Sequence, residues 1–94
     1  MLRGMAKRGK RSPNDWSVYI LRCGDASLYT GIAKDVPRRL AQHQKGRGAA
    51  YTRSHPPVEL VYQEAGMTRS QALVREAGIK AMPKARKEGL TRFS

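Results

Sequence analysis

The spacing of hydrophobic and polar positions changes period several times along the chain, and each change marks an element. From Trp16 to Arg22 the residues are mostly β-branched, aromatic or aliphatic. Ser27 to Ile32 repeat that character after Cys23-Gly24-Asp25-Ala26, which predicts a β-hairpin. Asp35 then offers an N-cap ahead of Val36 and the early-turn proline Pro37, and a helical pattern runs from Val36 to Lys45 until Gly46 supplies a left-handed stop. Gly46 to Pro57 is rich in glycine, basic residues and turn formers, with room for one short helical turn at Ala49 to Arg53. In Val58 to Gln63, the residues Val58, Leu60 and Tyr62 alternate with Glu59, Val61 and Gln63, the period of a third strand. Thr68-Arg69-Ser70-Gln71 has the Thr-x-x-Gln form of a capping box and opens a helix that Pro83 ends, and a short helix from Pro83 to Glu88 closes at Gly89. The expected fold is α/β: a small three-stranded antiparallel sheet flanked by helices, in the order β-β-α-β-α.

A chain of 94 residues, 39% of them hydrophobic, supports one modest core. Residues 14–90 are expected to form a single domain. Residues 1–13 carry Arg3, Lys7, Arg8, Lys10 and Arg11 with almost nothing to bury, so a disordered basic tail is expected there, and residues 91–94 form a short C-terminal tail. Charge alters the picture most: 19 Lys and Arg against 7 Asp and Glu leave a formal +12, which calls for a polyanionic partner, nucleic acid; DNA is expected ahead of RNA, though charge alone does not separate the two. The phosphate contacts are expected from the tail, from Lys34, Arg38, Lys45, Arg47 and Arg53, and from the C-terminal run Lys84, Arg86 and Lys87. No strongly amphipathic basic helix and no apolar run of the ~18 residues that would span a bilayer is present, so no membrane association is expected. Cys23 is the single cysteine, which excludes an internal disulfide and a thiolate-rich zinc site and fits a reducing, cytoplasmic setting.

Three places carry chemistry. Tyr19 and Tyr29 are equidistant from Gly24, so pairing centred there makes them cross-strand neighbours, whereas a two-residue Gly24-Asp25 turn pairs Tyr19 with Thr30 and sends Tyr29 to the other face. A shared face therefore needs an odd loop or a bulge. In the following helix Val36, Arg39, Leu40 and His43 form one stripe, an apolar face holding a guanidinium and an imidazole. In the later helix Ala72, Leu73, Glu76 and Ile79 share a face, so a carboxylate interrupts it. A buried carboxylate is costly unless paired or metal-bound, so Glu76 either meets a cation such as Arg39 or holds a metal ion.

Val18-Tyr19-Ile20, then Tyr29-Thr30-Gly31, then Arg39-x-x-x-His43, then Glu76 in a later helix, resembles in order and spacing the GIY-YIG nuclease superfamily. The run Leu28 to Ile32 with Asp35, Arg38-Arg39 and His43-Gln44-x-Gly46 is similar to its small single-domain bacterial branch. The resemblance implies a metal-dependent nuclease in which Glu76 binds Mg²⁺ or Mn²⁺, Arg39 clamps the phosphoryl oxygens, Tyr19 is the general base, ionised with help from Arg39 or the metal, Tyr29 orients phosphate or water, and His43 assists. Ile32 stands where some members carry a lysine that aids the tyrosine chemistry. The other reading is a nucleic-acid-binding module of the same fold with little or no catalysis. With no separate recognition domain, such an enzyme has low sequence preference, reads nucleic-acid shape, or relies on a protein partner for specificity.

Overall fold

The computed structural model describes residues 14–92. The elements follow in the order β1 (Trp16–Arg22), β2 (Leu28–Ala33), α1 (Val36–Gln44), α2 (Ala50–Ser54), β3 (Glu59–Met67), α3 (Arg69–Lys80) and α4 (Lys84–Thr91). The expected basic tail at 1–13 lies outside the described residues, as do 93–94 of the expected C-terminal tail. Among the described residues no helix is long and apolar enough to cross a membrane.

The three strands form one antiparallel sheet in the order β2-β1-β3. Being central, β1 is covered on both faces, and Ser17 to Leu21 are all buried. Its side chains alternate between two packed layers. Val18 and Ile20 join Ala72 and Ile79 of α3, with Ile32, Tyr62, Met82 and Leu90 around them. Tyr19 and Leu21 point the other way and join Val36, Leu40, Tyr29 and Leu60. Helices α1 and α2 therefore lie on the Tyr19 face, and α3 and α4 on the Val18 face.

Local chemistry sets the helix ends. Asp35 accepts from the Arg38 backbone N–H at 3.0 Å and caps α1. At its other end Gly46 adopts φ +75°, with the Gly46 N–H bonded to the His43 carbonyl and the Arg47 N–H to the Gln42 carbonyl, the paired bonds of a Schellman stop. Thr68 and Gln71 satisfy each other's backbone N–H groups, so the expected capping box opens α3. Glu64 of β3 accepts three hydrogen bonds from Arg75 of α3, and Arg22 of β1 makes a bidentate pair with Glu88 of α4 at 2.8 and 3.0 Å.

Four expectations are corrected. The strand expected at Val58 to Gln63 runs from Glu59 to Met67, because a bulge carrying Gly66 at φ +82° lets the chain resume pairing after the alternation ends. Helix α4 passes through Gly89 to Thr91, for at this site glycine stays in the helical conformation and Leu90 packs on the core. Leu73, expected on the inward face of α3, is 38% exposed, since the face meeting the sheet narrows to Ala72, Glu76 and Ile79. The fourth concerns the hairpin register and bears directly on Tyr19 and Tyr29.

Candidate active site

The hairpin closes with an odd loop. Cys23 N–H bonds to the Ser27 carbonyl and Ala26 N–H to the Cys23 carbonyl, and Ala26 takes φ 69°, a tight turn followed by one left-handed residue. Pairing is therefore centred on Asp25, two sequence-sum positions from the Gly24-centred alignment, and Tyr19 faces Gly31 while Tyr29 faces Leu21. An even shift preserves the face, so the two tyrosines are diagonal neighbours in place of directly opposed ones. Gly31 is what lets Tyr19 lie down: a Cβ at that position would stand 2.5 Å from the phenol oxygen.

Tyr19 is only 2% exposed, and its hydroxyl meets His43 Nε2 at 3.0 Å. His43, in the last turn of α1, is equally buried, and its Nδ1 lies 2.7 Å from the Thr52 hydroxyl of α2. Thr52 donates its own proton to the Ala49 carbonyl at 2.9 Å. That donation leaves the Thr52 oxygen as acceptor, which assigns the ring proton to Nδ1 and makes Nε2 the acceptor of the Tyr19 proton. The result is a buried chain: Tyr19 O–H to His43, His43 N–H to Thr52, Thr52 O–H to Ala49. The Tyr29 ring packs against the imidazole with centroids 5.4 Å apart. Gly48 closes the far side, where a Cβ would come within 2.1 Å of His43 Nδ1.

Burial pushes the His43 imidazole below its ordinary value of 6.5, and the Arg39 charge adds to the effect. The ring is held neutral, as an acceptor must be. Because the unfolded chain binds a proton on His43 at a higher pH than the folded domain does, this group's contribution to stability is complete above pH ~6.5 and is lost as pH falls below it. Urea unfolding at pH 7.5 and 5.5 checks this: wild type is expected to lose more stability on acidification than His43→Gln, which has no imidazole at this position.

Two charged side chains from opposite layers act on Tyr19. Burial raises the phenol pKa above 10, the hydrogen bond and positive charge of Arg39 pull it down, and the charges of Tyr29 and Glu76 push it up, with burial prevailing. In this nearly solvent-free setting one guanidinium does not by itself offset desolvation of the phenolate. Arg39 also donates to Gln42 at 2.8 Å. Glu76, on the inward face of α3 with its side chain 20% exposed, meets Lys80 at 3.4 Å, and no ion pair joins it to Arg39. The choice left open by the sequence is narrowed: Glu76 has one weak partner, a lysine side chain 55% exposed.

The basic residues divide between the layers. Arg38, Lys45, Arg47 and Arg53 are exposed on or next to α1 and α2, on the side that holds Tyr19, whereas Lys34 turns its ammonium over the Trp16 ring at 5.7 Å, toward the Val18-side layer. Lys84, Arg86 and the half-buried Lys87 lie on α4, in the opposite layer, which they share with Glu76 of α3. Thr52 and Gly48 belong to the site and escaped the sequence reading. Neither sits in a periodic stripe, and Thr52 occupies a five-residue helix, Ala-Tyr-Thr-Arg-Ser, too short to show one.

The family model described as the GIY-YIG catalytic domain matches residues 15–88, spanning every element from β1 into α4. The chain belongs to the GIY-YIG family. It is 54% identical over 70 residues to a UPF0213 protein of Staphylococcus epidermidis and 50% identical over 70 to one of Staphylococcus saprophyticus, covering in each case 74% of this chain and 85% of the relative. It is also similar to two solution NMR structures. One is of a UPF0213 protein from Bacillus halodurans, with TM-score 0.54, 39% identity and 84% of each chain covered. The other is of a protein from E. faecalis, with TM-score 0.55, 37% identity and 82% of each chain covered. Within this GIY-YIG domain the first motif tyrosine, Tyr19, lies across the motif glycine Gly31. Ile32, where some members have lysine, faces the other layer and packs with Val18 and Ile20.

Proposed function

We propose that this GIY-YIG domain hydrolyses phosphodiester bonds in nucleic acid, with a divalent cation held by Glu76, and that it takes DNA ahead of RNA. The observation that carries the proposal is the chain from Tyr19 through His43 and Thr52 to Ala49, a proton path aimed at a residue beside an arginine and a carboxylate. Buried polar chains of this length cost ordering and desolvation, and moving a proton is what this one is arranged to do.

Tyr19 and His43 work as one base. As Tyr19 takes a proton from the attacking water, its own proton passes to His43 Nε2, so the phenol is never a free anion in its buried setting. The imidazolium that forms is held through Nδ1–H by Thr52. Neutral His43 therefore does the work that ionising Tyr19 was expected to do, and it supplies assistance in a chain that has Ile32 in place of lysine. Arg39 offers a planar, permanently charged fork to the non-bridging phosphoryl oxygens, and Tyr29, half-exposed beside the imidazole, orients the phosphate or the water.

The donor set suits the metal. Among the described residues no group of three or more His, Cys, Asp or Glu assembles a protein cage, whereas Mg²⁺ or Mn²⁺ bound through one carboxylate, waters and a substrate phosphate needs none. Glu76, inward-facing and weakly paired, is the residue that would hold it. When bound, such an ion supplies Lewis-acid stabilisation of charge on the phosphate.

Cleavage of a panel of single-stranded, duplex and branched DNA and RNA, with Mg²⁺, Mn²⁺ or chelator, tests the proposal. Divalent-dependent cleavage of at least one DNA substrate is expected, absent in Glu76→Gln. Binding should weaken with salt at a slope of about −0.9 per duplex phosphate neutralised. Binding without cleavage across the whole panel would leave the domain a binding module.

A further inference from the structure

Beyond the chemistry centred on Tyr19, α2 carries a second organised group. Tyr51 is 41% exposed, one of the few large hydrophobic side chains left open to solvent, and yet it is held firmly. Its ring stacks on His55 with centroids 4.2 Å apart and planes inclined by 18°. Its hydroxyl donates to Ser27 at 2.6 Å across the hairpin tip, and Asp25, which also faces Tyr51, pairs with His55 Nε2 at 3.5 Å. The His55 ring is fixed in turn by Nδ1 at 2.7 Å from the Tyr51 carbonyl. An exposed aromatic ring normally keeps its rotamer freedom. This one is immobilised by stacking on one side and a hydrogen bond at its tip.

The segment around Tyr51 is basic in sequence, with the Asp25 carboxylate at the ring's hydroxyl end. Arg53 is two residues further along α2, and Arg47 lies in the segment that enters it; both are exposed, and among the described residues neither is in an ion pair. The next residue after Tyr51 is Thr52, whose hydroxyl supports His43. One helix turn thus presents an aromatic ring outward and a proton-chain residue inward.

We infer that the Tyr51–His55 stack is a platform for an unpaired nucleobase, with Arg47 and Arg53 contacting the flanking phosphates, so that the domain selects nucleic acid having a single-stranded segment next to the bond it cuts. A base stacks on any open aromatic face, and the preference is for unpaired bases because those of a duplex already have both faces covered. A rigid aromatic ring suits this use, since little side-chain entropy is lost on binding. The inference rests on the proposed nuclease reading for its substrate, but its test needs binding alone.

The experiment uses the full chain carrying Glu76→Gln to prevent turnover, with fluorescence anisotropy on a single-stranded DNA oligonucleotide, the matching blunt duplex and the same duplex with a single-stranded flap. Tyr51→Ala is expected to weaken single-strand and flap binding on the order of tenfold while leaving blunt-duplex binding within about twofold, and Tyr51→Phe, which keeps the ring, should stay within about threefold of the parent on all three. Equal losses on single strand and duplex, accompanied by a lower Tm, would show that Tyr51 only pins α2 to the hairpin and would overturn the inference. So would Tyr51→Ala binding like the parent on every probe. If the parent binds no nucleic acid at all, the functional reading falls with it; if it binds and Tyr51 is immaterial, only the platform falls.

Discussion

Tyr19→Phe is expected to lower the cleavage rate on the order of 10²- to 10⁴-fold, the range associated with a positioned general base. The variant removes one oxygen and leaves the ring packed over Gly31, so nucleic-acid binding should persist. His43 Nε2 loses the hydroxyl it faces at 3.0 Å, and an unsatisfied buried acceptor costs about 1–3 kcal/mol, visible as a lower denaturant midpoint. Thr52→Val provides the companion test. Valine matches threonine in shape but offers His43 Nδ1–H no acceptor, so the imidazole gains by moving its proton to Nε2, where it can no longer receive one from Tyr19. A smaller loss of rate is expected, with the tautomer change seen directly in the ¹⁵N shifts of His43, and Thr52→Ser should restore both. Tyr19→Phe cleaving at the parent rate would remove the phenol from the reaction.

Arg39→Ala and Glu76→Gln should each abolish detectable cleavage with the domain still folded, and they should fail for different reasons. Neither residue is part of a strong structural pair: Arg39 bonds to Gln42, and among the described residues Glu76 pairs with Lys80, an exposed i,i+4 contact worth about 0.3–0.5 kcal/mol. Loss of the guanidinium removes a phosphoryl clamp, and a comparable electrostatic donor contributes on the order of 10²- to 10³-fold in rate. It also removes a positive charge that depresses His43, so the His43 titration should move upward in Arg39→Ala, toward its ordinary value. Glu76→Gln is expected to have no such effect on His43 and, on the proposed reading, to lose the metal. Excess Mn²⁺ is expected to restore part of the activity of Glu76→Asp and none of that of Arg39→Ala. Joint loss of thermal stability in both variants, with an unchanged rate, would make the two charges structural.

The particular elements show where sequence reading succeeds. The first hairpin, the Asp35 cap with Pro37, the Gly46 stop and the Thr68-Gln71 box depend on residues within a turn or two of one another, and all are present. The hairpin centre was displaced because an ordinary alanine, Ala26, takes the left-handed position that glycine or asparagine usually marks. The end of β3 was missed because its continuation depends on partners across a bulge with β1, and its own residues Glu64, Ala65 and Gly66 are poor strand formers. Thr52 had no local signal at all.

By itself the sequence determined the α/β class, the strands and helices with caps of their own, the cationic balance, and the anomaly of Arg39, His43 and Glu76 on apolar stripes. These are properties of composition and short-range periodicity, written within single elements. Only the tertiary structure decided which hydroxyl faces which nitrogen, that burial works against ionising Tyr19, that Glu76 meets Lys80 in place of Arg39, and that the α4 lysines lie in the layer opposite α1 and α2. Each of those depends on burial and on distances between residues remote in the chain. His43 and Thr52 are nine positions apart, and Tyr19 and His43 twenty-four. Desolvation and hydrogen-bond direction act over a few ångströms of space, and spacing along the chain carries no record of them until the sheet and its two helical layers bring the groups together.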